Sequence, residues 1–86
     1  MSIAEMKPIK VYGGPGCIDC VRTKRFLNER QIPYEWYNVA TDGEALAFVL
    51  KANKGMRSIP TLLFEDGTTL TEPSNRELAK KLGLLV

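Results

Sequence analysis

The chain has 86 residues, of which 44% are hydrophobic and 26% are charged, with a formal net charge of +2. This composition is typical of a globular protein rather than a disordered chain, and the length allows one small domain with a single modest core. The small net charge, without a basic stripe interleaved with aromatic residues, argues against nucleic acid as a partner.

The first predicted strand, Ile9 to Tyr12, leads through a glycine-rich loop to both cysteines of the chain. Cys17 and Cys20 form a C-x-x-C motif at the start of a helix that we predict from about Cys17 to Gln31. Unpaired N–H groups and the macrodipole at a helix N-terminus stabilise an anion, and the thiolate is the form of cysteine that attacks disulfides. We therefore predict an exposed, reactive Cys17 and a shielded Cys20 one turn later, close enough to form a disulfide.

The next two elements follow from residue type and capping signals. Tyr34 to Val39 is aromatic and β-prone, which predicts a second strand, parallel to the first through a right-handed crossover. Thr41 to Glu44 has the form of a capping box, which predicts a helix to about Asn53 that Gly55 ends.

A hairpin and a final helix complete the predicted order. Asp66-Gly67 lies between the β-prone runs Thr61–Glu65 and Thr68–Thr71, which predicts a hairpin. Ser74 to Glu77 is a second capping box and opens a helix to about Leu82. The order β-α-β-α-β-β-α predicts an α/β fold with a four-stranded mixed sheet flanked by three helices. We predict one domain, residues 1–86.

Cysteine usage predicts the compartment. A secreted domain held by disulfides usually has several cysteine pairs, whereas one close pair indicates a redox or metal site in a reducing compartment. The leader Met1–Lys7 has no apolar core of a signal peptide, and the longest apolar run, Ala45 to Leu50, is too short to span a bilayer. We expect a cytoplasmic protein that does not bind a membrane.

Three features together resemble the thioredoxin fold, specifically its small glutaredoxin-like branch. They are the C-x-x-C motif Cys17–Cys20 after a first strand, Ser58–Pro60 before the hairpin, and the order of elements. The resemblance covers residues 8 to 84. Within this branch, the segments Arg57–Thr61 and Asp66–Ser74 are similar to mycoredoxins, the glutaredoxin-like proteins of actinobacteria.

The resemblance implies roles for matching residues. Cys17 would be the nucleophile and Cys20 the resolving thiol. Ile59-Pro60 matches the cis-proline step of the family, where the backbone before proline pairs with an extended substrate. Arg57, beside this step, is a candidate for binding a substrate carboxylate. Tyr12 and Thr71 complete the predicted substrate-binding residues.

The implied activity is thiol-disulfide exchange on disulfide-containing proteins by a monomer without a bound cofactor or metal. A low-molecular-weight thiol, mycothiol or glutathione, would be the co-substrate, and thioredoxin reductase or another flavin reductase would return electrons. Glutathione is the weaker candidate, because Thr71–Asn75 stands where glutathione-binding members have Gly-Gly followed by an acidic residue. Asp19, inside the motif, opposes ionisation of Cys17.

The sequence leaves two alternatives open. One is a redoxin that gives electrons to ribonucleotide reductase and is reduced by thioredoxin reductase. The other is a dimeric metal or iron–sulfur module. Tetrahedral zinc needs four ligands, and this chain has two cysteines and no histidine, so a metal site would need a second chain.

Overall fold

A computed structural model describes residues 7–84, and these contain seven elements in the predicted order. Apart from Lys7, the leader Met1–Lys7 lies outside the described residues. No helix in this part of the chain combines the length and the apolar character that crossing a bilayer requires. The elements are β1 Ile9–Gly13, α1 Ile18–Glu29, β2 Tyr34–Asn38, α2 Gly43–Ala52, β3 Thr61–Leu63, β4 Thr69–Thr71 and α3 Asn75–Lys81.

The four strands form one mixed sheet in the order β2-β1-β3-β4. β1 runs parallel to β2, whereas β3 is antiparallel to both β1 and β4. The ends of β1, β2 and β4 therefore meet the start of β3 at one edge of the sheet. This edge carries the loop after Gly13, the segment before Thr61 and the segment after Thr71.

The core is divided between the two faces of the sheet, because side chains of successive strand residues point to opposite faces. On one face, Val11 and Leu62 pack with residues of α1 and α3. On the other, Tyr12 packs with Val49 of α2. Three helices thus flank a four-stranded mixed sheet, which confirms the predicted architecture.

The predicted helix boundaries need two corrections. α1 ends at Glu29 rather than Gln31, because Gln31 adopts a left-handed φ of 55° and the N–H of Ile32 donates to the carbonyl of Leu27 at 2.9 Å. This pattern is a Schellman-type C-terminal turn. The N-cap of α2 is Asp42 rather than Thr41, since the Asp42 carboxylate accepts the first free N–H groups of the helix at 3.0 and 3.1 Å. A carboxylate is the stronger acceptor at this position.

The predicted hairpin is present, but its turn is shifted by one residue. The N–H of Gly67 donates to the carbonyl of Phe64 at 2.9 Å, so Glu65 and Asp66 are the central residues and Gly67 follows with a φ of 86°. The Asp66 carboxylate accepts from the Thr68 N–H and hydroxyl, which favours this turn. A hydrogen bond from Lys81 of α3 also lowers the pKa of Asp66.

Candidate active site

Cys17 and Cys20 lie at the start of α1, with Cys17 as the N-cap residue. The two form a disulfide with a Cα–Cα distance of 5.1 Å, within the usual range for a bridge. The Cys20 N–H donates to Cys17 Sγ at 3.1 Å, so a charged sulfur at Cys17 would be stabilised by a backbone donor. Cys17 is half-buried, whereas Cys20 is only 1% exposed. A partner can therefore reach Cys17 but not Cys20.

The segment before β3 faces these cysteines. The Ile59–Pro60 peptide bond is cis, and the Ile59 carbonyl oxygen lies 4.0 Å from Cys17 Sγ. Pro60 is fully buried, and its carbonyl accepts the Glu72 N–H at 2.8 Å. The Thr61 hydroxyl donates to the Ser58 carbonyl at 2.7 Å. These contacts hold the backbone of Ile59 beside the reactive sulfur.

An open depression surrounds Cys17 at this edge of the sheet. Arg57 and Ile59, two of the predicted substrate-binding residues, line it, and their role in binding stays a prediction. Ile18 is 84% exposed at its rim. The full set of lining residues is Pro15, Gly16, Cys17, Ile18, Asp19, Arg57, Ile59 and Glu72.

The structure does not bring Tyr12 into this depression. Tyr12 is 7% exposed and stacks between Tyr37 and Phe48, with ring centroids 5.0 and 4.6 Å away. Burial raises the pKa of Tyr12, and the carboxylates of Asp42 and Glu35 add to this effect. Although Tyr12 is close to the cysteines in sequence, its side chain points to the α2 face of the sheet and packs in the core.

Thr71 also lies outside the depression. Its hydroxyl donates to Asn53 Oδ1 at 2.6 Å, and Asn53 Nδ2 donates to the Thr61 hydroxyl at 3.0 Å. Through Asn53 and Thr61, Thr71 therefore supports the segment before β3. The next residue, Glu72, lines the depression instead. The sequence contained a signal for Glu72: it directly follows β4, the region that carries the Gly-Gly pair in glutathione-binding members.

Arg22 joins the start of α1 to the start of α3. Its guanidinium donates to Asp19 at 3.3 Å, to the Pro73 carbonyl at 3.1 Å and to Asn75 at 2.8 Å. The partner residues Pro73 and Asn75 are distant from Arg22 along the chain, so no local pattern predicts these contacts. The positive charge of Arg22 offsets the negative charge of Asp19 beside Cys17.

A tightly packed contact lies behind Cys20. A Cβ atom on Gly13 would lie 2.6 Å from Cys20 Sγ and 2.5 Å from the Trp36 ring. The ring and the sulfur are therefore no more than about 5 Å apart. Lys24 Nζ lies 3.9 Å from the centroid of the same ring, so Trp36 is held between a cation and the buried sulfur.

We expect the fluorescence of Trp36 to report the redox state of the cysteine pair. A disulfide in contact with an excited indole quenches its emission by accepting an electron, and Trp36 is the only tryptophan of the sequence. Emission should rise when a dithiol reductant opens the disulfide and fall again on oxidation. In the double variant Cys17→Ser/Cys20→Ser, emission should not respond to reductant. Equal emission from the oxidised and reduced native protein would contradict this contact.

Metal ligands are sparse in the described structure. Between residues 7 and 84, no three His, Cys, Asp or Glu side chains are grouped so that they could hold a metal ion. A metal or cluster site of the kind considered above would have to take ligands from a second chain.

Comparison with known proteins assigns the family. A glutaredoxin family model matches residues 9–68, more than half of the chain. The chain belongs to the glutaredoxin family. It is 36% identical over 74 residues to a Mycobacterium tuberculosis protein assigned to the glutaredoxins, a match that covers 86% of this chain and 88% of that protein. It is also 30% identical over 80 residues to mycoredoxin 1 of Corynebacterium glutamicum, a match that covers 93% of this chain and 99% of that protein.

Solved structures agree with this assignment. A mutant of the thioredoxin-like protein BC3987 is similar to this member of the glutaredoxin family, with a TM-score of 0.80 and 31% identity, covering 93% of this chain and all of that one. The predicted thioredoxin-like fold is thereby confirmed. The chain is a thiol oxidoreductase of the glutaredoxin family, with Cys17 and Cys20 as its C-x-x-C pair.

Proposed function

We propose that the protein reduces protein disulfides, or mixed disulfides between a protein and a low-molecular-weight thiol, through Cys17 and Cys20. The observation that carries this proposal is the difference in access between the two sulfurs. Cys17 is open to the depression, whereas Cys20, three residues later, is buried behind it at disulfide distance. A nucleophile in front of a resolving thiol is the arrangement that two-step exchange requires.

The first step is attack by the Cys17 thiolate on one sulfur of the substrate disulfide. A Cys17–substrate disulfide forms, the substrate S–S bond breaks, and the other substrate sulfur leaves as a thiolate. The Cys20 N–H stabilises the charge on Cys17 before attack. The half-buried Ile59, beside the sulfur, offers its backbone to an extended substrate, and Arg57 offers a cation to a substrate carboxylate.

The second step regenerates the thiol of the substrate. Cys20 gives its proton to the departing thiolate and attacks Cys17 Sγ, so the mixed disulfide breaks and the Cys17–Cys20 disulfide forms. Two electrons have passed from the dithiol to the substrate. The Cα–Cα distance of 5.1 Å allows this closure without movement of the main chain. We propose that the small thiol, itself kept reduced by a flavin reductase system, then restores the dithiol.

We propose mycothiol rather than glutathione as the small thiol. The similarity to mycoredoxin 1 supports this choice. The segment after β4 also supports it, because Thr71–Asn75 stands where glutathione-binding members have Gly-Gly followed by an acidic residue. We propose that the chain works as a single-domain monomer in the cytoplasm, since one close cysteine pair fits a reducing compartment.

A coupled assay tests the choice of thiol. The same target protein, blocked at one cysteine with either mycothiol or glutathione, is offered to the enzyme, and NADPH oxidation is followed with the reductase for each thiol. We expect kcat/KM to be about tenfold higher for the mycothiolated protein, within the range that differential binding gives. Faster turnover of the glutathionylated protein would contradict this choice. NADPH oxidation with thioredoxin reductase and no small thiol would instead favour an electron donor of the kind that serves ribonucleotide reductase.

A further inference from the structure

Two opposite charges lie on different sides of Cys17 in the depression. Arg57 Nη2 lies 3.7 Å from the position of a Cβ on Gly14, and the side chain of Asn38, at the end of β2, lies 4.0 Å from the same position. Along this edge of the sheet, the guanidinium therefore lies near the ends of β1 and β2. Glu72 directly follows β4, which is the outermost strand on the other side of the sheet from β2.

Both charges are available to a partner. Across residues 7–84, neither Arg57 nor Glu72 has an oppositely charged group within 4.0 Å, and both residues are exposed. Asp19, the third charged residue of the depression, differs because Arg22 pairs with it at 3.3 Å. The unpaired charges among the residues that line the depression are thus one cation, Arg57, and one carboxylate, Glu72.

The backbone holds Glu72 in place. Its φ of 49° is in the left-handed region that favours glycine, and its N–H donates to the Pro60 carbonyl at 2.8 Å. The following residue, Pro73, is fully buried. The backbone therefore fixes Glu72 in the wall of the depression that contains Cys17.

We propose that Arg57 and Glu72 determine which protein disulfides are reduced fastest. They favour a substrate cysteine that has a basic residue before it and an acidic residue after it. This proposal rests on the proposed function. It names a class of protein substrate, defined by the residues that flank the disulfide, and it assigns a specificity-determining role to Glu72.

The direction in which the bound substrate chain runs follows from strand pairing. From Arg57 the chain runs through Ile59 to Pro60, whose carbonyl contacts Glu72. Antiparallel pairing is more frequent and slightly more stable than parallel pairing. An extended substrate antiparallel to this segment would pass first along the Glu72 side, then over Cys17, and then along the Arg57 side. A basic residue before the cysteine would meet Glu72, and an acidic residue after it would meet Arg57.

Two symmetrical peptide disulfides of the same composition and net charge test the proposal. One has the order Lys-Cys-Glu in both strands and the other has Glu-Cys-Lys, so long-range attraction is equal and only the order differs. Each turnover oxidises the dithiol to the Cys17–Cys20 disulfide and releases two peptide thiols, which chromatography measures. We expect kcat/KM to be about two- to fivefold higher for Lys-Cys-Glu, the range for exposed charge pairs. The preference should shrink in high salt.

Charge reversal assigns the preference to these two residues. Glu72→Lys should remove the preference, and the swap Arg57→Glu/Glu72→Lys should reverse it. The matched control is Glu65→Lys, which makes the same change of charge at the turn of the same hairpin and should keep the preference. Equal rates with both peptides, a preference for Glu-Cys-Lys, or an unchanged preference in the swap variant would overturn the proposal. If no peptide disulfide is reduced at all, the proposed function itself fails, and this specificity fails with it.

Discussion

Replacing Cys17 with serine is expected to reduce turnover of every disulfide substrate to the uncatalysed background. A serine hydroxyl is not ionised at neutral pH and attacks only with an activating base, so the attack on the substrate sulfur is lost. Cys20 cannot replace Cys17, because it is 1% exposed. The measurement is coupled NADPH oxidation with a protein disulfide and with a small-thiol mixed disulfide.

Cys20→Ser is the matched variant for this experiment. It should lose most activity on protein disulfides, which need the resolving thiol, and retain activity on small-thiol mixed disulfides, where a second molecule of the small thiol can resolve the intermediate. Circular dichroism of both variants shows whether they fold. Substantial turnover by folded Cys17→Ser would contradict the assignment of Cys17 as the nucleophile.

Gly13→Ala is expected to destabilise the folded protein. The added methyl group would lie 2.6 Å from Cys20 Sγ and 2.5 Å from the Trp36 ring, distances at which something must shift. Overpacking of this kind costs about 1–3 kcal/mol of the free energy of unfolding. Urea unfolding of the oxidised and reduced proteins measures the change.

Two further variants show whether the loss of stability in Gly13→Ala arises from contact of the added methyl group with Cys20 and Trp36. Gly43→Ala is the control, because a Cβ there meets no atom within 4 Å, and it should be neutral or slightly stabilising. Adding Trp36→Phe to Gly13→Ala removes the outer ring atoms that the methyl group meets and should restore part of the lost stability. If Gly13→Ala and Gly43→Ala were equally stable, the packing described behind Cys20 would be wrong.

The sequence predicts those parts of the site that depend on residues close together in the chain. The strand, loop and helix around Cys17 follow from local signals, and so does the capping box of α3, where Ser74 and Glu77 bond reciprocally at 3.0 and 3.1 Å. Ser58–Pro60 was identified by resemblance, and its place beside Cys17 depends on the pairing of β1 with β3.

The parts that were not predicted depend on tertiary packing or on small energy differences. Tyr12 is one residue from Gly13, yet strand alternation directs it to the face opposite Cys20. Arg22 reaches Asn75, 53 residues away, and no local pattern encodes such a contact. The shift from Thr71 to Glu72 is one residue, which is within the uncertainty of a strand end assigned from sequence.

Limited alkylation of the reduced protein tests most directly that Cys17 is the accessible, charged sulfur and Cys20 the sulfur behind it. The protein is treated with less than one equivalent of iodoacetamide near neutral pH, and fragmentation of the peptide that contains both cysteines locates the label. We expect nearly all label on Cys17 and a loss of activity in proportion to labelling. Equal labelling of the two cysteines, or preferential labelling of Cys20, would contradict it.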